Sequence, residues 1–324
     1  MKMSPKIFRD ELTNHMLDLH WQQWTVFGVS SHWSRASDYI LDLEALTVST
    51  IAIGLWDKRL SHITMEWLQM NRQWLNLNRV KRIGKLFTGS ETYEQNPLVD
   101  SAVMEAYLDF LKPSHSLSAH NRGHQNDQND VVSEHINLIN KYEPRGTVVS
   151  PDIRSTSLLQ LFLRSVFGID ARAEMFLYFL CGRRGNSNFI SSEIYFEQKN
   201  LLRILNNWAD AGVIEEDQEV SGLDYGLKAP SFWMQALGID QPPPYINWAR
   251  LFLFLDRLAI GLKAPKLLDD RYLVSSFFRD LTPDAQYAAS ITRVVLPHEK
   301  SLHGEAYFEP FAECVLQILE KLSR

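Results

Sequence analysis

Up to residue 113 the apolar residues of this chain recur every three or four positions without strict alternation, and proline and glycine are sparse. That period belongs to helices that turn one face to a core, and it argues against a sandwich or barrel over this third of the sequence. Phe8, Leu12, Met16, Leu17 and His20 fall on one helical face, and Leu43, Leu46, Thr47, Ile51 and Leu55 on another. HITMEWLQMN at 62–71 and LNRVKRIGKLF at 77–87 are two short helical patterns around the turn RQWLN. A further helix over 98–111 ends before Lys112-Pro113, because the residue preceding proline is driven out of the helical region.

The run SHSLSAHNRGHQNDQND at 114–130 has almost no large apolar side chain with which to offset the cost of ordering, so it reads as a linker. It continues through a short helix, VVSEHINLINKY, to residue 146. His115, His120, His124 and His135 lie there at spacings that could bring several imidazoles together. Ligating histidines sit on rigid elements with a supporting shell, which this segment lacks, so no metal site is expected.

The stretch 154–229 is the most legible. Leu158, Leu159, Leu161, Phe162, Val166 and Phe167 form one helical face, Gly168 stops that helix, and Asp170 caps DARAEMFLYFLCG. A polar turn, RRGNSN, leads to FISSEIYF and then to QKNLLRILNNWADAG, with Leu201, Leu202, Leu205 and Trp208 on one side. VIEEDQEVSGLDYGLKA reads as two extended runs about a turn. Beyond the breaker cluster QPPPY at 241–245, helices are expected from near Trp248, over 271–281 and over 301–322.

A length of 324 residues suits two or three domains, and 45% apolar with 22% charged residues fits a folded protein. No apolar stretch reaches the ~18 residues of a membrane span, and the two cysteines, Cys181 and Cys314, suit reduced core thiols; a cytoplasmic protein that does not enter membranes is expected. A net charge of −6 excludes a protein that coats nucleic acid over its whole surface but leaves room for a local basic face. The acid concentrates in 147–240, where eight Lys and Arg face twelve Asp and Glu.

ARAEMFLYFL, FISSEIYF, QKNLLRILNNWADAGVI and EEDQEVSGLDYGL, taken together, resemble the second helix, third helix, recognition helix and wing of winged helix-turn-helix bacterial regulators of the broad ArsR/MarR kind. The resemblance covers under a quarter of the chain. It implies a recognition helix led by Gln198, Lys199 and Asn200, with Arg203 one turn on, in the major groove of double-stranded DNA. The acid-rich wing argues against phosphate contact and for a solvated face. A second basic stretch, with Arg72, Arg79, Lys81, Arg82 and Lys85 and no acid between them, is expected to form a positive stripe in another helix-turn-helix, or else an ordinary solvated face.

The stretches DLEAL at 42–46, DKRL at 57–60 and 67–83 also look like uncharacterised bacterial regulators, some of which resemble the repressor or antitoxin half of a toxin pair. No phosphate-binding loop, dinucleotide fingerprint, metalloprotease motif or nucleophile elbow is present. His298-Glu299 and His303-Glu305 read as the loop and first turn of the last helix, and the tryptophans as core or interface residues.

The expectation is thus a mainly α protein: a helical N-terminal domain (1–113), a polar linker (114–146), a winged helix with a β-hairpin (147–240) and a C-terminal helical region (241–324) whose helices 247–262 and 301–322 serve dimerisation or partner binding. The expected function is that of a non-enzymatic, cofactor-free, homodimeric DNA-binding repressor. The alternative is an adaptor or antitoxin that binds a protein such as a cognate toxin; an enzyme with a site in the aromatic N-terminal part ranks third.

Overall fold

The structure is a computed structural model that describes residues 3–33, 36–89, 97–112, 130–219, 222–298 and 301–323. Six helices come first: α1 (Pro5–Val26), α2 (Leu43–Ile53), α3 (Lys58–Met70), α4 (Leu77–Phe87), α5 (Ser101–Phe110) and α6 (Asp130–Asn140). Five of these begin on a side chain that accepts a backbone N–H of the first turn: Ser4, Asp42, Asp57, Asn76 and Asp100. Each answers donors that a helix start otherwise leaves unpaired, which is how the sequence fixes where these helices begin.

Next come α7 (Leu159–Phe167), α8 (Ala171–Leu180), α9 (Ser187–Ile194) and α10 (Gln198–Asp210), then an antiparallel hairpin of β1 (Ile214–Glu219) and β2 (Gly222–Leu227) with Ile214 opposite Leu227, and α11 (Pro230–Leu237). The chain closes with α12 (Trp248–Gly261), α13 (Pro265–Leu268), α14 (Arg271–Thr292) and α15 (Phe308–Leu322). The described residues are mainly helical with this one small sheet. No described helix is long and apolar enough to cross a membrane.

The buried side chains fall into two clusters. One gathers α1–α6 with α12, α14 and α15, and contains Phe8, Trp24, Trp67, Trp248, Phe278 and Phe311. The other gathers α7–α10 and the hairpin around Phe176, Tyr178, Leu201, Leu205 and Tyr225, with α11 packed on its edge through Trp233. The regions 1–113 and 241–324 therefore share one core, and the trihelical segment with its hairpin is set between them in sequence. Trp248, Phe252, Phe254, Leu255 and Leu258 of α12 are all at most 1% exposed, so these side chains are taken up by the core, while Arg250 is exposed.

α14 runs on to Thr292, eleven residues past its expected end, across Pro283. Proline removes one backbone donor there, but α12 and α15 pack along the helix and Thr282 and Tyr307 join hydroxyls at 2.9 Å, which carries it through. His303 precedes a 3-10 turn, Gly304–Tyr307, that leads into α15. Glu299 lies outside the described residues. Both cysteines are free and half-buried, and burial pushes the Cys181 thiol up to about 12.

Where α1, α2 and α12 meet, three fully buried polar side chains form a chain. His20 Nδ1 is 2.7 Å from the Met16 carbonyl, and Ser49 Oγ is 2.8 Å from both His20 Nε2 and Asp256 Oδ2. A carbonyl only accepts, so Nδ1 carries a proton. Burial holds His20 near 4, so its ring is neutral and Nε2 accepts from Ser49. The serine hydroxyl has one proton to give. The contact to Asp256 is then made by a protonated carboxyl donating to Ser49, in keeping with burial holding Asp256 well above the ordinary carboxylate range against the opposing Ser49 hydrogen bond.

Candidate nucleic-acid interface

α10 buries Leu201, Ile204 and Leu205 against α8 and α9, and that spacing of three and four leaves Lys199, Leu202, Arg203, Asn206 and Asn207 exposed on the opposite side. Its start is set by the turn from α9. Tyr195 closes α9 in the left-handed region at φ 61°, a costly conformation for a bulky residue, and its hydroxyl donates to Asn247 Oδ1 at 2.9 Å. Glu197 follows at the cap position, and Gln198 Nε2 donates back to Ser187 Oγ at 2.9 Å. Arg203 Nη2 meets Asn200 Oδ1 at 3.0 Å. Lys199 and Arg203 are exposed and Gln198 and Asn200 half-buried, so the four recognition-helix candidates stand together over the first two turns.

The basic stretch at 72–85 divides. Lys81, Arg82 and Lys85 project from the exposed side of α4, whereas Arg79 shares the inner face with Val80, Ile83 and Phe87 and is 2% exposed. Arg79 is accordingly withdrawn from the DNA-contact set: its guanidinium bonds both oxygens of Asp42 at 2.6 and 2.5 Å, Glu44 Oε2 at 2.7 Å and the Ile194 carbonyl at 2.9 Å. The spacing held the signal, since Arg79, Ile83 and Phe87 stand four apart on the apolar stripe. Arg72 lies in a 3-10 turn before α4 and donates to the Lys112 carbonyl.

Arg79 belongs to a buried ionic network that joins the two cores. Arg164 of α7 reaches Glu44 through both terminal nitrogens, 2.7 Å each, and Glu174 of α8 at 2.8 and 2.5 Å. Gln160 links Glu174 Oε2, at 3.2 Å, to the Leu43 backbone N–H, at 3.0 Å. Burial alone would raise the Asp42 carboxyl, but the Arg79 guanidinium outweighs it and holds Asp42 below its ordinary value. Nothing in the local sequence pattern announces this network, because its members come from positions 42, 44, 79, 164 and 174 and meet only in the folded chain.

One consequence of the network is positional. α4 is fixed beside the α9–α10 turn, and Arg82 Nη2 lies 3.9 Å from Glu197 Oε2 at the cap of α10. Arg82 of the one set thus comes within ionic reach of the residue that precedes the other, over a hundred positions away in sequence.

The hairpin is tied down by its own charges. Arg184, in the turn between α8 and α9, meets Asp224 through Nε at 3.0 Å, Glu215 through Nη1 at 2.6 Å and Asp217 through Nη2 at 2.5 Å. Its guanidinium lies across the strand at Gly226, where a Cβ would come within 2.4 Å of Nη1; a glycine is what permits the approach. Three carboxylates against one guanidinium leave this flap acidic, and Glu216 adds to it.

His135 is 6% exposed on α6, edge-on to Tyr107, while His115, His120 and His124 lie outside the described residues. Among the described residues no group of His, Cys, Asp and Glu is arranged to hold a metal ion. Comparison with protein families, with curated proteins and with solved structures finds no match to this chain.

Proposed function

We propose that this protein binds double-stranded DNA as a transcriptional regulator through a winged helix-turn-helix formed by α8–α10 and the β1–β2 hairpin, with α4 as an added phosphate clamp. The observation that carries the reading is the contact between Arg82 and Glu197, which brings α4, with Lys81, Arg82 and Lys85 exposed, to the start of α10. In such a complex the start of α10 enters the major groove, where Gln198 and Asn200 offer amide groups to adenine edges and Lys199 and Arg203 pair with guanine or phosphate. α4 supplies cations that the acidic hairpin does not, so the backbone contacts come from the first core rather than from the wing. The protein acts as a homodimer on two half-sites, as helix-turn-helix readers do.

A second reading, an adaptor or antitoxin that binds a protein partner, is favoured by the exposed acids Glu215, Glu216 and Asp217, which repel phosphate. Binding to duplex DNA across a salt series separates the two. For the regulator, log K falls linearly with log salt, and Lys81→Glu/Lys85→Glu and Lys199→Glu/Arg203→Glu each shrink that slope by about two contacts. Absence of binding at low salt, with the wild-type fold intact, selects the adaptor.

A further inference from the structure

Away from that face, a cleft of about 510 Å³ opens beside α3, within the volume range of small-molecule sites. Its floor is one face of α3: Arg59, His62, Ile63 and Glu66, spaced three and four apart. Its walls are Ser30–His32, after α1, and Glu143–Thr147, after α6. These walls are built, not incidental. An isolated bridge pairs Val29 with Val148, Val149 N–H donates to the Gly28 carbonyl at 3.1 Å, and the Thr147 N–H and hydroxyl reach Glu66 at 3.0 and 3.2 Å.

The charges in this cleft are of both signs and do not pair with one another. Arg59 lies over the Trp21 ring, 5.2 Å from its centroid, and that ring is fixed by its own N–H bond to Asp57 at 2.9 Å. Among the described residues neither Arg59 nor Arg145 makes an ion pair, and neither does Glu143 or Glu66. Burial, with Arg145 close by, holds His62 below its ordinary range, so it joins as a neutral group with a shielded, unpartnered Nδ1. Two exposed guanidiniums and the exposed Glu143 therefore surround one open volume, with Glu66, 2% exposed and held by Thr147, at its base.

A simple anion would meet the guanidiniums and be repelled by the carboxylates; a simple cation would do the reverse. A ligand with a carboxylate and an ammonium satisfies both. We propose that this cleft binds a small zwitterion of the amino-acid or short-peptide class. The carboxylate takes the guanidinium fork of Arg59 or Arg145, and the ammonium is held by Glu143. This site is independent of the DNA reading and stands whether or not that reading does.

The test is calorimetric titration of the full chain with each of the common L-amino acids and with triglycine, using citrate and putrescine as single-sign probes. Saturable binding is expected for triglycine or an amino acid, and roughly tenfold weaker binding for Arg145→Gln and for Glu143→Gln. Both side chains are exposed, and circular dichroism will report an unchanged fold. The proposal is overturned by no saturable zwitterion binding up to about 10 mM, by citrate or putrescine binding as tightly, or by unchanged affinity in both variants.

Discussion

Arg164 and Glu44 meet fork to fork: both terminal guanidinium nitrogens and both carboxylate oxygens are engaged at 2.7 Å, with the two side chains at 1% and 0% exposure. Planar bidentate pairing is the strongest form such a contact takes, and it ties α2 of one core to α7 at the edge of the other. Taking two charges out of water is costly, so the pair is better read as a device that fixes one relative placement of the cores than as a large net stabiliser.

Breaking this pair from one side leaves a buried charge alone. Glu44→Gln is expected to lose about 3–5 kcal/mol in urea denaturation, and Arg164→Leu a similar amount. A loss below about 1 kcal/mol for both would show that water reaches the network and relieves it.

Arg79 and Lys81 stand two positions apart on α4 yet should fail in different experiments. Arg79→Ala is expected to lower the denaturation midpoint strongly. Lys81→Glu should leave the midpoint in place and weaken salt-dependent binding to duplex DNA. The reverse assignment would mean that α4 is turned about its axis relative to this structure.

The division between them marks how far the sequence can be read. Helical period, caps and breakers located α2, α4, α8, α9, α10 and the hairpin, because those signals lie within a few residues of what they specify. Arg79 reads as a surface cation by its charge and as a core residue by its register with Ile83 and Phe87, and in the fold the register prevails. The interior position of α12 and the union of Asp42, Glu44, Arg79, Arg164 and Glu174 depend on which helices pack together, which no local period encodes. The cleft beside α3 is hidden from the sequence for the same reason: its two walls come from distant segments that the Val29–Val148 bridge helps bring together.

The His20–Ser49–Asp256 chain sets opposing pH dependences. His20 titrates lower in the folded chain than its ordinary 6.5, so its contribution is present above 6.5 and is lost as pH falls toward about 4. Asp256 titrates higher than its ordinary 3.8, so its contribution is full below 3.8 and declines as pH rises toward its folded value. Asp256→Asn keeps a neutral donor toward Ser49 and should flatten the decline at neutral and higher pH, with equal or greater stability at pH 7 in urea denaturation followed across pH. A loss of more than about 1 kcal/mol at pH 7 would show that Asp256 is ionised in the native state.

Arg184→Ala removes the cation shared by Asp224, Glu215 and Asp217. Because these are exposed pairs, stability should change by about 1 kcal/mol or less. On the proposed DNA-binding reading, duplex affinity should nevertheless fall, since three carboxylates are released on the hairpin that serves as its wing. Unchanged affinity in a fluorescence titration would place the hairpin away from the DNA.

The shared core of the two terminal regions also imposes an order of assembly during synthesis. Phe8 makes ring contacts with Phe278 and Phe308, with centroids 5.5 and 6.2 Å away, and so waits for a partner made some 300 residues later. The middle segment, whose cluster runs almost wholly from Leu159 to Leu227, can close while the ribosome is still translating. The nascent amino-terminal helices meanwhile hold an open apolar seam, and this is the interval in which the chain most needs a chaperone.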